Sequence, residues 1–197
     1  MKKLFISIFV VFISSMLFAG PFGLEKGMSL EQVKTACGGR DPVKIDEGHY
    51  LITPLKPHPY FVKYVAWIDM KQGLNYIKAI GSDISTNGYG IELRSKFDSL
   101  EQSLSKSYGT CSRTSLLLPG SLWDDADEWM RSLEKNERYH FSTWDKKNGS
   151  TLPDDITAIA LIANSTGTYS GYIVLEYEFS NHAAVSSAQK EEEDSVF

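Results

Sequence analysis

Tyr60-Phe61-Val62-Lys63-Tyr64-Val65-Ala66-Trp67-Ile68-Asp69 is the stretch on which the fold turns. Tyr60, Val62, Tyr64, Ala66 and Ile68 recur at every second position, the period of a strand with one face buried. Met70-Lys71-Gln72-Gly73 supplies a short turn and Leu74 to Ile84 a second strand, so the two read as an antiparallel hairpin. His49 to Thr53 reads as a further strand ahead of them.

Working outward, the hairpin is flanked by two stretches that look alike. Ser29-Leu30-Glu31-Gln32 opens one that ends at Cys37-Gly38; Ser99-Leu100-Glu101-Gln102 lies in one that ends at Tyr108-Gly109-Thr110-Cys111. In the first, Leu30, Val33 and Cys37 share a helical face, Ser29 and Gln32 have capping-box spacing, and Gly38-Gly39 is a stop. In the second, Leu93, Phe97, Leu100, Leu104 and Tyr108 form an amphipathic stripe closed by Gly109. An extra helix is expected over about Leu122 to Lys135, then strands at Arg138 to Trp144, Asp155 to Ala163 and Gly171 to Phe179. The expectation is an α+β fold over residues 20–182, with helices packed on antiparallel sheet. Two helix-plus-three-strand repeats, 22–88 and 89–182, are expected within it; one irregular domain is the alternative. Residues 183–197, small and polar and then acidic, read as a disordered tail.

Lys2-Lys3, the apolar run Leu4 to Phe18 and Ala19-Gly20 have the layout of a secretory signal peptide. This places the mature chain in the periplasm or outside the cell, with no stable membrane anchor. Loss of residues 1–19 moves the formal charge from −5 to −7, which argues against nucleic-acid binding. In an oxidising compartment Cys37 and Cys111 are expected to form a disulfide, contributing roughly 4 kcal/mol through the long loop it closes. Two buried thiols are the other reading.

Phe22-Gly23-Leu24, Gly27-Met28-Ser29, Gln32-Val33 and Gly38-Gly39-Arg40-Asp41-Pro42 resemble the opening of SmpA/OmlA-type domains. There a G-M-T/S turn starts a helix that ends at G-x-P. The resemblance implies a small helix-plus-sheet module of the bacterial envelope with a protein-binding role and no catalysis. Tandem repeats of related form occur in secreted β-lactamase inhibitors. The chain departs from that pattern in lacking a lipoprotein cysteine and in a longer spacing to Pro42, and its second half has no G-M-S turn.

No reaction motif accompanies this framework. His49, His58, His140 and His182 lie in separate segments without metal-ligand spacing, and His140, alternating with Tyr139 and Phe141, is expected at the surface. Ser103-Leu104-Ser105-Lys106 matches S-x-x-K only formally and lies on the polar flank of the helix. Asp124, Asp125, Asp127 and Glu128 lack the spacing of a calcium loop and suit a helix start. No cofactor, metal or catalytic residue is therefore assigned. Pro54, Leu55, Lys56, Pro57, His58 and Pro59 form a stiff loop between strands and are the expected partner-binding residues. Ser195-Val196-Phe197 has the form of a peptide that could add a strand to a PDZ-type domain. The expected role is binding of an envelope or exported protein. The alternatives are an inhibitor or immunity protein, and a small-ligand binder or enzyme with an aromatic pocket built from Trp67, Trp123, Trp129 or Trp144.

Overall fold

A computed structural model describes residues 20–194. The expected leader, 1–19, and Ser195-Val196-Phe197 lie outside the described residues. The chain runs α1 (Leu30–Ala36), β1 (Val43–Lys44), β2 (His49–Ile52), β3 (Phe61–Asp69), β4 (Gly73–Gly81), β5 (Ile84–Ser85), α2 (Ile91–Tyr108), β6 (Ser112–Leu117), α3 (Trp129–Glu134), β7 (Arg138–Asp145), β8 (Ile156–Gly167), β9 (Ser170–Phe179) and α4 (His182–Asp194). It is an α+β protein. All nine strands join one antiparallel sheet in the order β1-β2-β3-β4-β9-β8-β7-β6, with β5 paired to β9 beyond the end of β4. The first half contributes a helix and five strands and the second half four strands, not three each, and apart from β5 the order is mirrored about the β4–β9 pair.

The local signals explain the elements they mark. Ser29 Oγ accepts the Gln32 amide and Gln32 Oε1 accepts the Ser29 amide, so α1 opens on a capping box and closes at Gly38 and Gly39, both with positive φ. Leu93, Phe97 and Leu100 are buried along α2, with Leu104 and Tyr108 packed against the same core. In the β3–β4 hairpin, Asp69 Oδ1 accepts the amides of Lys71 and Gln72.

α1, α2 and α3 cover one face of the sheet. The core between them joins Val33, Leu93, Phe97, Met130 and Leu133 to Tyr64, Ala66, Ile77, Ile159, Leu161, Ile173 and Leu175. Among the described residues no helix is long and apolar enough to cross a membrane.

Several expectations are corrected. Phe61, not Val62, faces the core: the pairing steps from Phe61↔Gly81 to Lys63↔Ile80, leaving Val62 as the extra residue of a bulge, 59% exposed. The expected helix from Leu122 is a 3-10 turn at Ala126–Glu128 leading into α3, and the strand expected to reach Ile84 stops at Gly81. Residues 183–194, expected to be disordered, belong to α4, held by buried Val185 and by His182.

The expected bridge does not form: Cys37 and Cys111 are free thiols. Cys37 lies by the Thr53 amide at the end of β2, and burial pushes its thiol pKa up. Cys111 leads into β6 beside Ser105. Five strands separate β2 from β6 in the sheet, whereas a disulfide needs Cα atoms within about 7 Å.

His140 is buried, not at the surface. It does alternate with Tyr139 and Phe141, but those aromatics take the opposite face, away from α1, α2 and α3. His140 packs on Phe97 and Trp129, at 4.5 and 5.5 Å between ring centroids. Its ring nitrogens meet Arg113 Nη2 at 3.1 Å and Ser115 Oγ at 3.2 Å. Arg113, Asp98 and Glu101 form ion pairs above it, and Ser142 donates to Glu101. This polar layer makes the inner face of β7 hydrophilic at His140 and Ser142, while Trp144 further along the strand lies in the apolar core.

Candidate functional site

The outer face of the sheet, which α1, α2 and α3 leave open and on which the start of α4 packs, is built by strand register. Outward positions align in rows across the strands. One row runs Leu51, Val65, Lys78, Glu176, Ala160 and Thr143. On one side of it lie Ile80, Val174, Ile162 and Phe141; on the other, His49, Trp67, Tyr76, Glu178 and Ala158. Tyr139 and Leu116, paired at the β6–β7 edge, extend the face and are 45% and 47% exposed. An antiparallel sheet with one solvated face ordinarily alternates apolar-in with polar-out. Here aromatic and aliphatic side chains occupy outward positions on β3, β4, β9, β8 and β7.

Trp67 is the most constrained of them. Its indole stacks on His49 at 4.9 Å and meets His182 edge-on at 5.0 Å. Gly48, with φ +81°, lets the backbone pass so close that a β-carbon there would stand 2.8 Å from Nε1. His49 Nδ1 contacts Asp46 Oδ1 at 2.6 Å, while His182 Nδ1 meets Asn75 Oδ1 at 2.8 Å and its ring leans on Tyr76. Asn75 is the extra residue of a second bulge, between the Trp67↔Tyr76 and Ile68↔Leu74 pairs, and donates to the Trp67 carbonyl.

His49, Val65, Trp67, Tyr76, Lys78 and His182 line a recess of about 340 Å³. Beside it the Lys78–Glu176 ion pair, at 3.1 Å, spans the joint between the two halves. Burial, Glu176 and Glu178 push the Tyr76 hydroxyl pKa well up, so it remains a protonated donor. Burial lowers the pKa of His182. The arrangement offers rigid aromatic anchors with few free charges, the chemistry of a contact surface.

The loop expected to bind a partner lies elsewhere. Pro54 is buried, and Leu55, Lys56, Pro57, His58 and Pro59 are exposed. Tyr64, an inward-facing residue of β3, accepts the His58 amide at 2.9 Å and donates to its carbonyl at 3.3 Å. Leu55 rests against Gly38 and Lys56 against Gly23. The loop folds back on the helix side. The four tryptophans share no pocket: Trp144 and Trp129 are buried in the core, Trp123 lies under Arg131 at 3.7 Å, and Trp67 is on the opposite face. Asp124, Asp125 and Asp127 are exposed around the 3-10 turn, and no group of three metal-ligating side chains occurs among the described residues.

Sequence reading missed Tyr76, Phe141 and Tyr139 as parts of one surface. Their period-two spacing was visible, but spacing alone does not say which face the helices take. Compared with known proteins, the chain matches no family model, no curated protein and no solved structure.

Proposed function

We propose that this is an exported protein that acts by binding another exported or envelope protein across the open face of its sheet, and that it performs no chemistry itself. The observation that carries this reading is the held indole of Trp67, standing among Tyr76, Val65 and Leu51 on a face that α1, α2 and α3 leave bare. A preordered aromatic anchor loses little entropy on docking and is the residue type that dominates interface energies. Lys2-Lys3 and the apolar run to Phe18 support export to the periplasm or medium. An envelope accessory factor and a secreted inhibitor or immunity protein are the two forms this role takes. The recess beside Trp67 supports a second reading, a small aromatic or cationic ligand held between Trp67 and Tyr76.

The test is cross-linked capture with tagged residues 20–197 in the native envelope, alongside a Trp67→Ala variant and a variant lacking residues 54–59. One protein recovered in near-equal amount, lost on Trp67→Ala and kept on loop deletion, is the expected result. Loss on loop deletion alone moves the contact to the helix side. Recovery of nothing above background overturns the stable-partner reading and leaves the recess as the site to screen with ligands.

A further inference from the structure

On the helix-covered side, at the β6 edge, three arginines converge: Arg94 on the first turn of α2, Arg113 on β6 and Arg138 at the start of β7. Beneath Arg94 and Arg138 lies Trp129, 5% exposed, whose indole centroid is 5.5 Å from the guanidinium carbon of Arg94 and 5.8 Å from that of Arg138. Arg113 is matched by Asp98 at 2.6 Å and Glu101 at 3.4 Å. Arg94 and Arg138 are not: no ion pair among the described residues includes either. Arg138 is nonetheless fixed. Its Nε donates to Ser132 Oγ at 2.8 Å, and that hydroxyl donates to the Trp129 carbonyl at 2.9 Å. Among the described residues the η nitrogens of Arg138 have no acceptor, and Arg94 makes no side-chain hydrogen bond.

We propose that Arg94 and Arg138, stacked on Trp129, form a binding site for an oxyanion group of carboxylate or phosphate type. The chain carries an excess of acidic residues, yet places none against these two guanidinium groups. Burial and the field of Arg94 both lower the Arg138 pKa, the sign of like charges held together at a cost. An anion between the two would remove that repulsion. Guanidinium forks match the paired oxygens of carboxylate and phosphate, and the indole holds the forks flat before the anion arrives. The site lies on the other side of the sheet from Trp67 and does not depend on the open-face reading.

The test is the melting temperature of the mature chain, residues 20–197, against added sodium phosphate and, separately, sodium acetate. Sodium chloride holds the ionic strength constant. A saturable rise with either anion, weakened at least tenfold in midpoint concentration in Arg94→Gln/Arg138→Gln, is the expected result. Phosphate acting without acetate, or the reverse, fixes the class of oxyanion. Arg94→Lys/Arg138→Lys, which keeps charge and removes the fork, should fall between wild type and the glutamine variant. No saturable rise beyond the chloride control, or an equal rise in the glutamine variant, overturns the proposal. Should the double variant lose its far-UV circular dichroism, the exposed Arg94→Gln change alone carries the comparison.

Discussion

The ring of Tyr60 fills the space that a β-carbon on Gly81 would need, and its hydroxyl completes the sheet just beyond that glycine. β4 pairs with β9 as far as Ile80↔Val174, and β5 resumes at Ile84↔Gly171. In the gap, the Tyr60 hydroxyl accepts the Ile173 amide at 3.0 Å and donates to the Ser82 carbonyl at 3.3 Å. Lys96 sits 4.9 Å above the same ring. A side chain from outside the sheet thus supplies a hydrogen bond where the ladder is interrupted.

Gly81→Ala is expected to destabilise the fold by about 1–3 kcal/mol through overpacking against Tyr60. Tyr60→Phe should cost about 1–3 kcal/mol by leaving the Ile173 amide buried and unpaired. The two changes touch the same contact, so the double variant should cost less than the sum. Urea unfolding of the four proteins measures this, and full additivity would refute the coupling.

Trp67→Ala removes the held indole from a half-buried position on the open face. Melting should fall only modestly, because the helix-side core is untouched. Affinity for a partner, once identified, should drop by about 30-fold or more, as for a central aromatic hot spot. Titration calorimetry against that partner reads the loss; Val62→Ala, exposed at the bulge, is the control expected to change nothing.

His140 gives the stability a pH dependence of predictable sign. Burial, chiefly, and the charges of Arg113, Arg94 and Arg138 lower its pKa from near 6.5 to about 4; Asp98 opposes them. Above pH 6.5 the ring is neutral folded or unfolded and its contribution is intact. As pH falls from 6.5 toward 4 the unfolded chain takes up a proton that the folded chain refuses. Stability should then decline by roughly 3 kcal/mol from this group. The wild-type minus His140→Gln difference in unfolding free energy should show that decline, and a flat difference would refute it.

The free thiols can be counted directly. Alkylation of the denatured mature chain without reductant should add two groups, and the melting temperature should be the same with and without reductant. A single intact mass lacking both adducts would restore the bridge. In the folded chain Cys37, buried with a raised pKa, should react more slowly than the half-buried Cys111.

Signals within a few residues were legible in the sequence: the Ser29/Gln32 box, the α2 stripe from Leu93 to Tyr108, and the Asp69–Gly73 turn. What escaped depended on distant partners. β6 carries Arg113 and Ser115 toward the helices, so it has no apolar alternation to reveal it. His140 alternated as expected but faced the other way, because Glu101, Asp98 and Arg113 make the inside of that edge polar. A single bulge exchanged Phe61 for Val62. α4 lacks an apolar stripe and is held at its start by His182, Asn181 and Val185. The disulfide was argued from compartment and from the matching helix ends at Cys37 and Cys111, and the mirrored strand order sets those two ends on opposite flanks of the sheet.

The mirrored strand order bears on the timing of folding. β9, the last described strand along the chain, occupies the middle of the sheet, bonded to β8 on one side and to β4 and β5 on the other. Closing the β4–β9 joint brings together segments about half the chain apart, a pairing of high contact order that folds slowly. Until then β4 has an open edge that displays Ile77 and Ala79, and an incomplete chain is prone to associate through it. A chain cut before Ser170 keeps both flanks of the sheet and loses the strand that joins them.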